Sequence, residues 1–293
     1  MSEGNTDKTL APFASRWGMI SGRGHGRGIE IRYARLMGQA IWGADPEFFG
    51  PRHAHRESRI AGRLKRLVPN PGLHLECAAG VGSLSLNLAL EGHTVISADL
   101  SPRSLRVLAA RAEAAGIAER VLPVVADIRV LPFGNETFAS ATSAETLEHV
   151  HRHEEAVSEL ARVLTTDGWV VGTVPAGPKQ WSEWDEWAGH LRRYSAGEME
   201  GILDGAGLAP EVDVWGWPLL RLYDKVFLKR INRRRLHCDG SVDSDSTLKT
   251  VSALGQRRRL VALVRSVFSL DRIFDGAPWG VGLLFTGRKR RAP

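Results

Sequence analysis

Leu73-His74-Leu75-Glu76-Cys77-Ala78-Ala79-Gly80-Val81-Gly82 decides how the rest of the chain is read. It begins as a short apolar run, which reads as a buried strand. Glu76 sits inside that run, and small residues ending in Gly80-x-Gly82 close it. Glycines at such a place read as a tight turn that lets a ligand touch backbone. Ser83 to Leu90 then has helical periodicity. Strand, small-residue turn and helix together make the first unit of a nucleotide-type binding fold.

Two later strand ends narrow the ligand. Thr94 to Asp99 reads as a second strand ending in a carboxylate. An acid at this separation from the glycine turn accepts both hydroxyls of a ribose. Val121 to Asp127 reads as a third strand, and Asp127 is placed to accept a hydrogen bond from an adenine amino group. A dinucleotide site wants a third glycine near Ser85 and a pyrophosphate at the helix N-terminus. Ser85 occupies that place instead, and Glu76 would repel a phosphate. A cationic, phosphate-free adenosine ligand suits the acids better. S-adenosylmethionine, with a sulfonium and an ammonium group, is such a ligand.

Glu76 to Gly82 resembles the first motif of class I S-adenosylmethionine-dependent methyltransferases. That family usually has Gly at the position of Ala78 and often Cys at Ala79, so this chain departs there. Matching features follow in order: Asp99, Asp127, Leu131-Pro132-Phe133, Ser143 to Val150, Glu159 to Leu164, and Asp167-Gly168. The likeness spans residues 55 to 215. Ser143 to Val150 is most similar to the ubiquinone-biosynthesis O-methyltransferases and their small-molecule relatives. The resemblance implies an α/β fold: a Rossmann-like, seven-stranded, mostly parallel sheet with helices on both faces, plus a helical cap. It assigns Glu76, Ala78, Gly80 and Gly82 to donor binding, with Gly80 and Gly82 allowing close approach of its methionine part and Asp99 holding the ribose. Leu100, Asp127 and Ile128 go to the adenine, and Ala144 touches the donor through its backbone.

Methyl transfer is an in-line displacement at an already activated methyl, so the enzyme mainly supplies proximity and alignment. A base is needed only for a hydroxyl or an acidic carbon. His190, within Trp187 to Ser195, is a candidate base or substrate contact, because imidazole titrates near neutral pH. The other reading has it pinning the loop by hydrogen bonds. Asp185 and Arg193 orient a substrate or pair with each other, and Tyr194 reads as packed.

Glu145, Glu148 and His149 have a spacing that puts them on one face of a helix beginning. Glu145 and His149 join His190 as catalytic candidates. In the ubiquinone-type relatives the equivalent residues are associated with a divalent cation, and two carboxylates with an imidazole suit Mg²⁺. Acid enrichment at a helix N-terminus is the preferred explanation, so no metal is expected. His149, His151 and His153 alternate and read as surface. Trp181, Trp184 and Trp187 read either as walls for an apolar or aromatic substrate or as a packed loop.

The 293 residues, 43% hydrophobic and 25% charged, suit one large α/β domain with an appended cap. Two cysteines, Cys77 and Cys238, cannot make a disulfide framework, and no signal peptide is read, so a cytoplasmic protein is expected. No apolar run approaches the ~20 residues of a membrane span. The formal charge is +6, with Arg233-Arg234-Arg235, Arg257-Arg258-Arg259 and Arg288 to Arg291 all late in the chain. These runs read as solvated helix ends, or as a surface for an anionic substrate, carrier or membrane face. Lacking a recognition motif, they do not argue for nucleic acid.

The expected organisation is a flexible tail over 1–28, then a methyltransferase core with N-terminal lid helices over 29–217. A helical insertion over 218–278, serving as a cap or a dimer contact, precedes a last strand and basic tail over 279–293. Ile31 to Trp42 has helical spacing, with Tyr33 and Trp42 as lid aromatics. Helices are expected at 56–68, 82–91, 102–115, 152–164, 195–207, 219–231 and 256–269. Strands are expected at 73–77, 94–98, 121–126, 138–142, 169–174, 209–217 and 281–287, with a polar loop at 239–246. The function expected is S-adenosylmethionine-dependent methylation of an apolar or aromatic small molecule, first on oxygen and in specialised metabolism. Nitrogen, carbon, or a repurposed donor-binding protein are the alternatives.

Overall fold

β1 (Leu73–Cys77) lies inside a seven-stranded sheet of order β3-β2-β1-β4-β5-β7-β6. It pairs in parallel with β2 (Thr94–Asp99) on one side and β4 (Phe138–Ala144) on the other, with Glu76 opposite Ser97 and Thr142. β3 (Val121–Val125) and β5 (Leu164–Pro175) continue the parallel pairing outward. β7 (Gly282–Lys289) runs antiparallel between β5 and β6 (Leu208–Trp215). The chain order reverses between β1 and β4, which opens a crevice at their carboxyl ends. The structure, a computed structural model, describes residues 50–228 and 258–291. The expectations for the 1–28 tail, Ile31–Trp42 with Tyr33 and Trp42, Arg233–Arg235, Cys238 and the 239–246 loop lie outside the described residues.

Strands apolar on both sides need cover on both sheet faces. One core gathers α1 (Pro51–Leu67), α2 (Ser83–Leu90) and α3 (Pro102–Ala114) through Ile60, Leu64, Leu84, Leu88, Leu105 and Leu108. The other gathers α4 (His153–Val163) and α6 (Ala196–Gly205) through Val157, Leu160, Met199 and Leu203. α5 (Glu183–Ala188) follows β5. The local signals act as read: Ser101 caps α3 by accepting from the Ser104 N–H at 3.2 Å, and Ser195 forms a capping box with Glu198.

Several boundaries move. α1 starts at Pro51, since proline is pre-organised for the first helical position. β5 starts at Leu164, which pairs with Phe138 before pairing resumes at Trp169 with Ser140. Asp167, at φ 64°, makes the turn between these two stretches. The helix beginning expected at Glu145–His149 does not form. Glu145 takes φ 49°, Leu147–His149 is a single 3₁₀ turn, and α4 begins only at His153. Leu219 opens a short helix, α7 (Leu219–Tyr223), followed by a π-helical turn (Asp224–Leu228). α8 (Arg258–Phe268) runs into a 3₁₀ turn (Ser269–Phe274).

α8 packs on α1 and α7. Phe268 sits edge-on to His55 and to Tyr223, with ring centroids 5.9 and 5.3 Å apart. Asp271, fully buried, accepts the N–H groups of Leu219 and Leu220 at 2.9 Å each and so caps α7. Arg59 reaches Asp275 at 2.6 Å and Arg52 reaches Asp224 at 3.3 Å.

Candidate active site

The residues expected to bind the donor sit at the carboxyl ends of β1, β2 and β4. Asp99 closes β2, and its two oxygens accept the N–H groups of Gly80 at 2.8 Å and Ser101 at 2.7 Å. Two loops therefore fix the carboxylate, and each oxygen keeps a further lone pair. Ala78 is exposed at φ 57°, in the left-handed region that favours glycine. Gly82, at φ 79°, begins α2, and a Cβ there would lie 2.4 Å from Leu108 Cγ and Cδ1. The space that Gly82 leaves open is filled by α3, not by room for a ligand.

Glu76 is buried and accepts a hydrogen bond from Ser85, whose hydroxyl also lies 2.7 Å from Ser97. Burial pushes the Glu76 carboxyl up to about 8 despite that bond, and the Glu57 and Asp99 carboxylates push the same way. Glu57 reaches in from α1 and pairs with His53 at 2.8 Å and with Ser83. Three acids thus crowd one place, which a cationic ligand relieves. Glu57 was not read from the sequence; its only signal is the four-residue spacing from His53.

The residues expected beside the adenine are less uniform. Asp127 makes a two-pronged pair with Arg129 at 2.6 and 3.0 Å, and those hydrogen bonds hold its carboxyl below the usual range. Leu100 is exposed beside Asp99, while Ile128 is buried in the core. Ala144 ends β4, and its carbonyl accepts from the Thr146 hydroxyl at 3.2 Å.

The loops after β4 and β5 bring a second set together. His190 donates or accepts through Nδ1 to Asp185 at 2.8 Å. Asp185 is fully buried and also takes two hydrogen bonds from Arg193, at 2.8 and 2.9 Å. Burial would raise its carboxyl, but the His190 and Arg193 hydrogen bonds win and hold it at about 2. An ionised Asp185 makes Nδ1 of His190 the protonated nitrogen and leaves Nε2 as the acceptor. His149 lies edge-on to His190, ring centroids 4.8 Å apart, with its Nδ1 on the Gly189 carbonyl at 3.2 Å. Burial lowers the His149 pKa, with His190 adding to it.

The reading of His149 and His153 as surface is therefore corrected: His149 faces the site, and His153 is buried against Tyr194. A loop that folds back from β5 covers both. Glu148 is fully buried, and neither of its carboxylate oxygens has a hydrogen-bond partner among the described residues. Burial, and then Glu145, push its carboxyl well up. Glu145 turns instead toward Arg56 at 3.7 Å. Burial acts to raise its carboxyl too, but Arg56, Arg52 and His190 hold it low.

Ligating atoms of Glu148, His149 and His190 lie within 4.8 Å of one another. The set Glu145, Glu148 and His149, expected from spacing, is not the set that converges. Two imidazoles and one carboxylate fit a borderline ion such as Zn²⁺ better than Mg²⁺, which prefers oxygen ligands. The Trp184 and Trp187 rings meet at a 31° tilt with centroids 4.6 Å apart, and Trp181 donates to Glu186 at 3.3 Å.

The methyltransferase domain family matches residues 75–172, the stretch from β1 into β5 that carries the acids at the strand ends. Over residues 75–172 the chain is similar to a methyltransferase domain. An uncharacterized protein of Mycobacterium tuberculosis is 37% identical over 99 residues, 33% of this chain and 35% of that protein. A demethylmenaquinone methyltransferase of Thermus thermophilus is 37% identical over 108 residues, 36% of this chain and 48% of that protein. The chain thus spans between a third and a half of the length of these curated relatives. A Haemonchus contortus phosphoethanolamine N-methyltransferase 2 solved with S-adenosyl-L-methionine superposes with a TM-score of 0.56 at 20% identity, covering 80% of this chain and 53% of that one. The described residues therefore share the fold of that solved methyltransferase, and no helix among them is long and apolar enough to cross a membrane.

Proposed function

We propose that the chain transfers the methyl group of S-adenosylmethionine to a hydroxyl of an apolar or aromatic small molecule, with His190 as the base. The observation that carries this reading is the buried Asp185–His190 pair on the loop after β5, beside the acid-lined crevice. Contacts connect the two ends of the site. Ser83 touches His53, His53 bonds to Arg56, and Arg56 pairs with Glu145, whose charge acts on His190. Glu76, Glu57 and Asp99 hold the cationic donor. The sulfur leaves as the acceptor oxygen attacks in line, and Nε2 of His190 takes the hydroxyl proton. Asp185 fixes the tautomer and stabilises the imidazolium that forms. The paired Trp184 and Trp187 rings supply an apolar wall.

The unpartnered, buried Glu148 favours a second reading, in which Glu148, His149 and His190 hold a divalent ion. When bound, such an ion supplies Lewis acidity to an acceptor oxygen. The test is release of S-adenosylhomocysteine with a panel of phenols and quinols. His190→Ala lowers turnover about 100-fold or more and leaves donor affinity within about threefold, and turnover survives prolonged chelation. Loss of donor affinity in His190→Ala refutes the placement of His190. Loss of turnover on chelation, restored by metal, selects the second reading.

A further inference from the structure

α8 has a wider apolar arc than its packing uses. Phe268 and Val264 turn inward onto the core beside α1. The neighbouring stripe, Leu260, Leu263, Val267 and Leu270, repeats at helical spacing and is 40, 65, 45 and 59% exposed. Ile273 extends it at 81%, and Phe227 of the adjoining π-helical turn is 57% exposed. Single exposed leucines are ordinary; an aligned stripe marks a contact surface.

The charge around the stripe has one sign. Among the described residues of 219–228 and 259–275 there are five Lys and Arg (Arg221, Lys225, Arg259, Arg265 and Arg272) against three Asp (Asp224, Asp271 and Asp275). All three acids are engaged inside the fold: Asp224 with Arg52, Asp271 with the α7 backbone, and Asp275 with Arg59. Lys225, Arg259, Arg265 and Arg272 are exposed beside the apolar residues. A second copy of this face would set arginine against arginine, which opposes self-association. An apolar stripe bordered by cations is instead complementary to an anionic lipid surface, where the side chains enter the acyl boundary and the arginines meet headgroups.

We propose that the α8 face, with the turn after it, docks the enzyme on anionic membrane surfaces. The occupant is the lipid surface itself, and nothing spans it. The inference is independent of the acceptor and of His190. The experiment is flotation of the full chain with vesicles of equimolar phosphatidylglycerol and phosphatidylcholine, and with phosphatidylcholine alone. The chain floats with the anionic vesicles, stays behind with the neutral ones, and is released as salt rises toward ~0.5 M. The triple variant Leu263→Ser, Leu270→Ser, Ile273→Ser loses at least tenfold of that binding while keeping the donor affinity of the parent. Arg265→Gln with Arg272→Gln, which leaves the apolar residues in place, weakens binding to the anionic vesicles and serves where the triple variant does not fold. Absence of binding to anionic vesicles overturns the proposal, as does binding by both variants as strong as that of the parent. So does a dimer by light scattering that the triple variant turns into a monomer while vesicles bind neither form.

Discussion

Gly82→Ala separates two reasons for a glycine at the start of α2. At φ 79° a residue with a Cβ costs about 1–2 kcal/mol relative to glycine. The new Cβ also meets Leu108 Cγ and Cδ1 at 2.4 Å and its Cβ at 3.2 Å. Leu108 is fully buried, so it cannot swing into solvent, and α3 must shift. Overpacking of this kind costs about 1–3 kcal/mol. Gly82→Ala therefore destabilises the fold by about 2–5 kcal/mol, the two costs together. Leu108→Ala alone costs about 2–5 kcal/mol by leaving a cavity. In the double variant the added methyl enters that cavity. The overpacking cost disappears and the dihedral cost remains, giving a coupling of about 1–3 kcal/mol. Urea unfolding of the four proteins measures it. Additivity within about 0.5 kcal/mol refutes the packing account and returns Gly82 to a ligand-contact role.

Ala78→Gly relieves the left-handed backbone at φ 57°; after the entropy glycine adds to the unfolded chain, it stabilises by about 0.5–1 kcal/mol, read as a higher Tm. Stability falls on acidification: burial, aided by Arg59, lowers the His55 pKa to about 4, and burial lowers that of His74 to about 3. Both pKa values lie below the unfolded ~6.5, so the unfolded chain binds more protons, and stability is lost as pH drops from 6.5 through 4 and 3. His55→Phe removes about 3 kcal/mol of that loss, seen as a flatter dependence of urea midpoint on pH between 6.5 and 4; an unchanged slope contradicts the burial of a neutral His55. Asp185→Asn lowers turnover about tenfold or more and shifts the acid limb of its pH profile, with donor affinity held; unchanged turnover removes Asp185 from the positioning of His190.

The central strands were legible because each is a short apolar run bounded by turn residues, and the caps at Ser101 and Ser195 marked helix starts. Asp99 and Glu76 were legible for the same reason, since position at a strand end follows from the alternation of strand and helix. Glu57 was not, because α1 comes to lie on the glycine turn only through tertiary packing of Ile60 and Leu64. The left-handed Glu145 broke a spacing argument that assumed continuous helix. The convergence of Glu148, His149 and His190 depends on a loop that returns across the end of β4, which spacing along one segment does not encode. The exposed stripe on α8 is likewise visible only once α1 is seen to cover the other part of its apolar arc.

Isothermal titration with S-adenosylmethionine in buffers of different ionisation enthalpy tests most directly whether the acids at the strand ends hold a cationic adenosyl donor. With the Glu76 carboxyl raised to about 8, it is mostly protonated at pH 7. Binding of the cation ionises it and releases most of one proton, and the release fades as pH rises above 8. A tight dinucleotide titration beside no heat from S-adenosylmethionine contradicts the account.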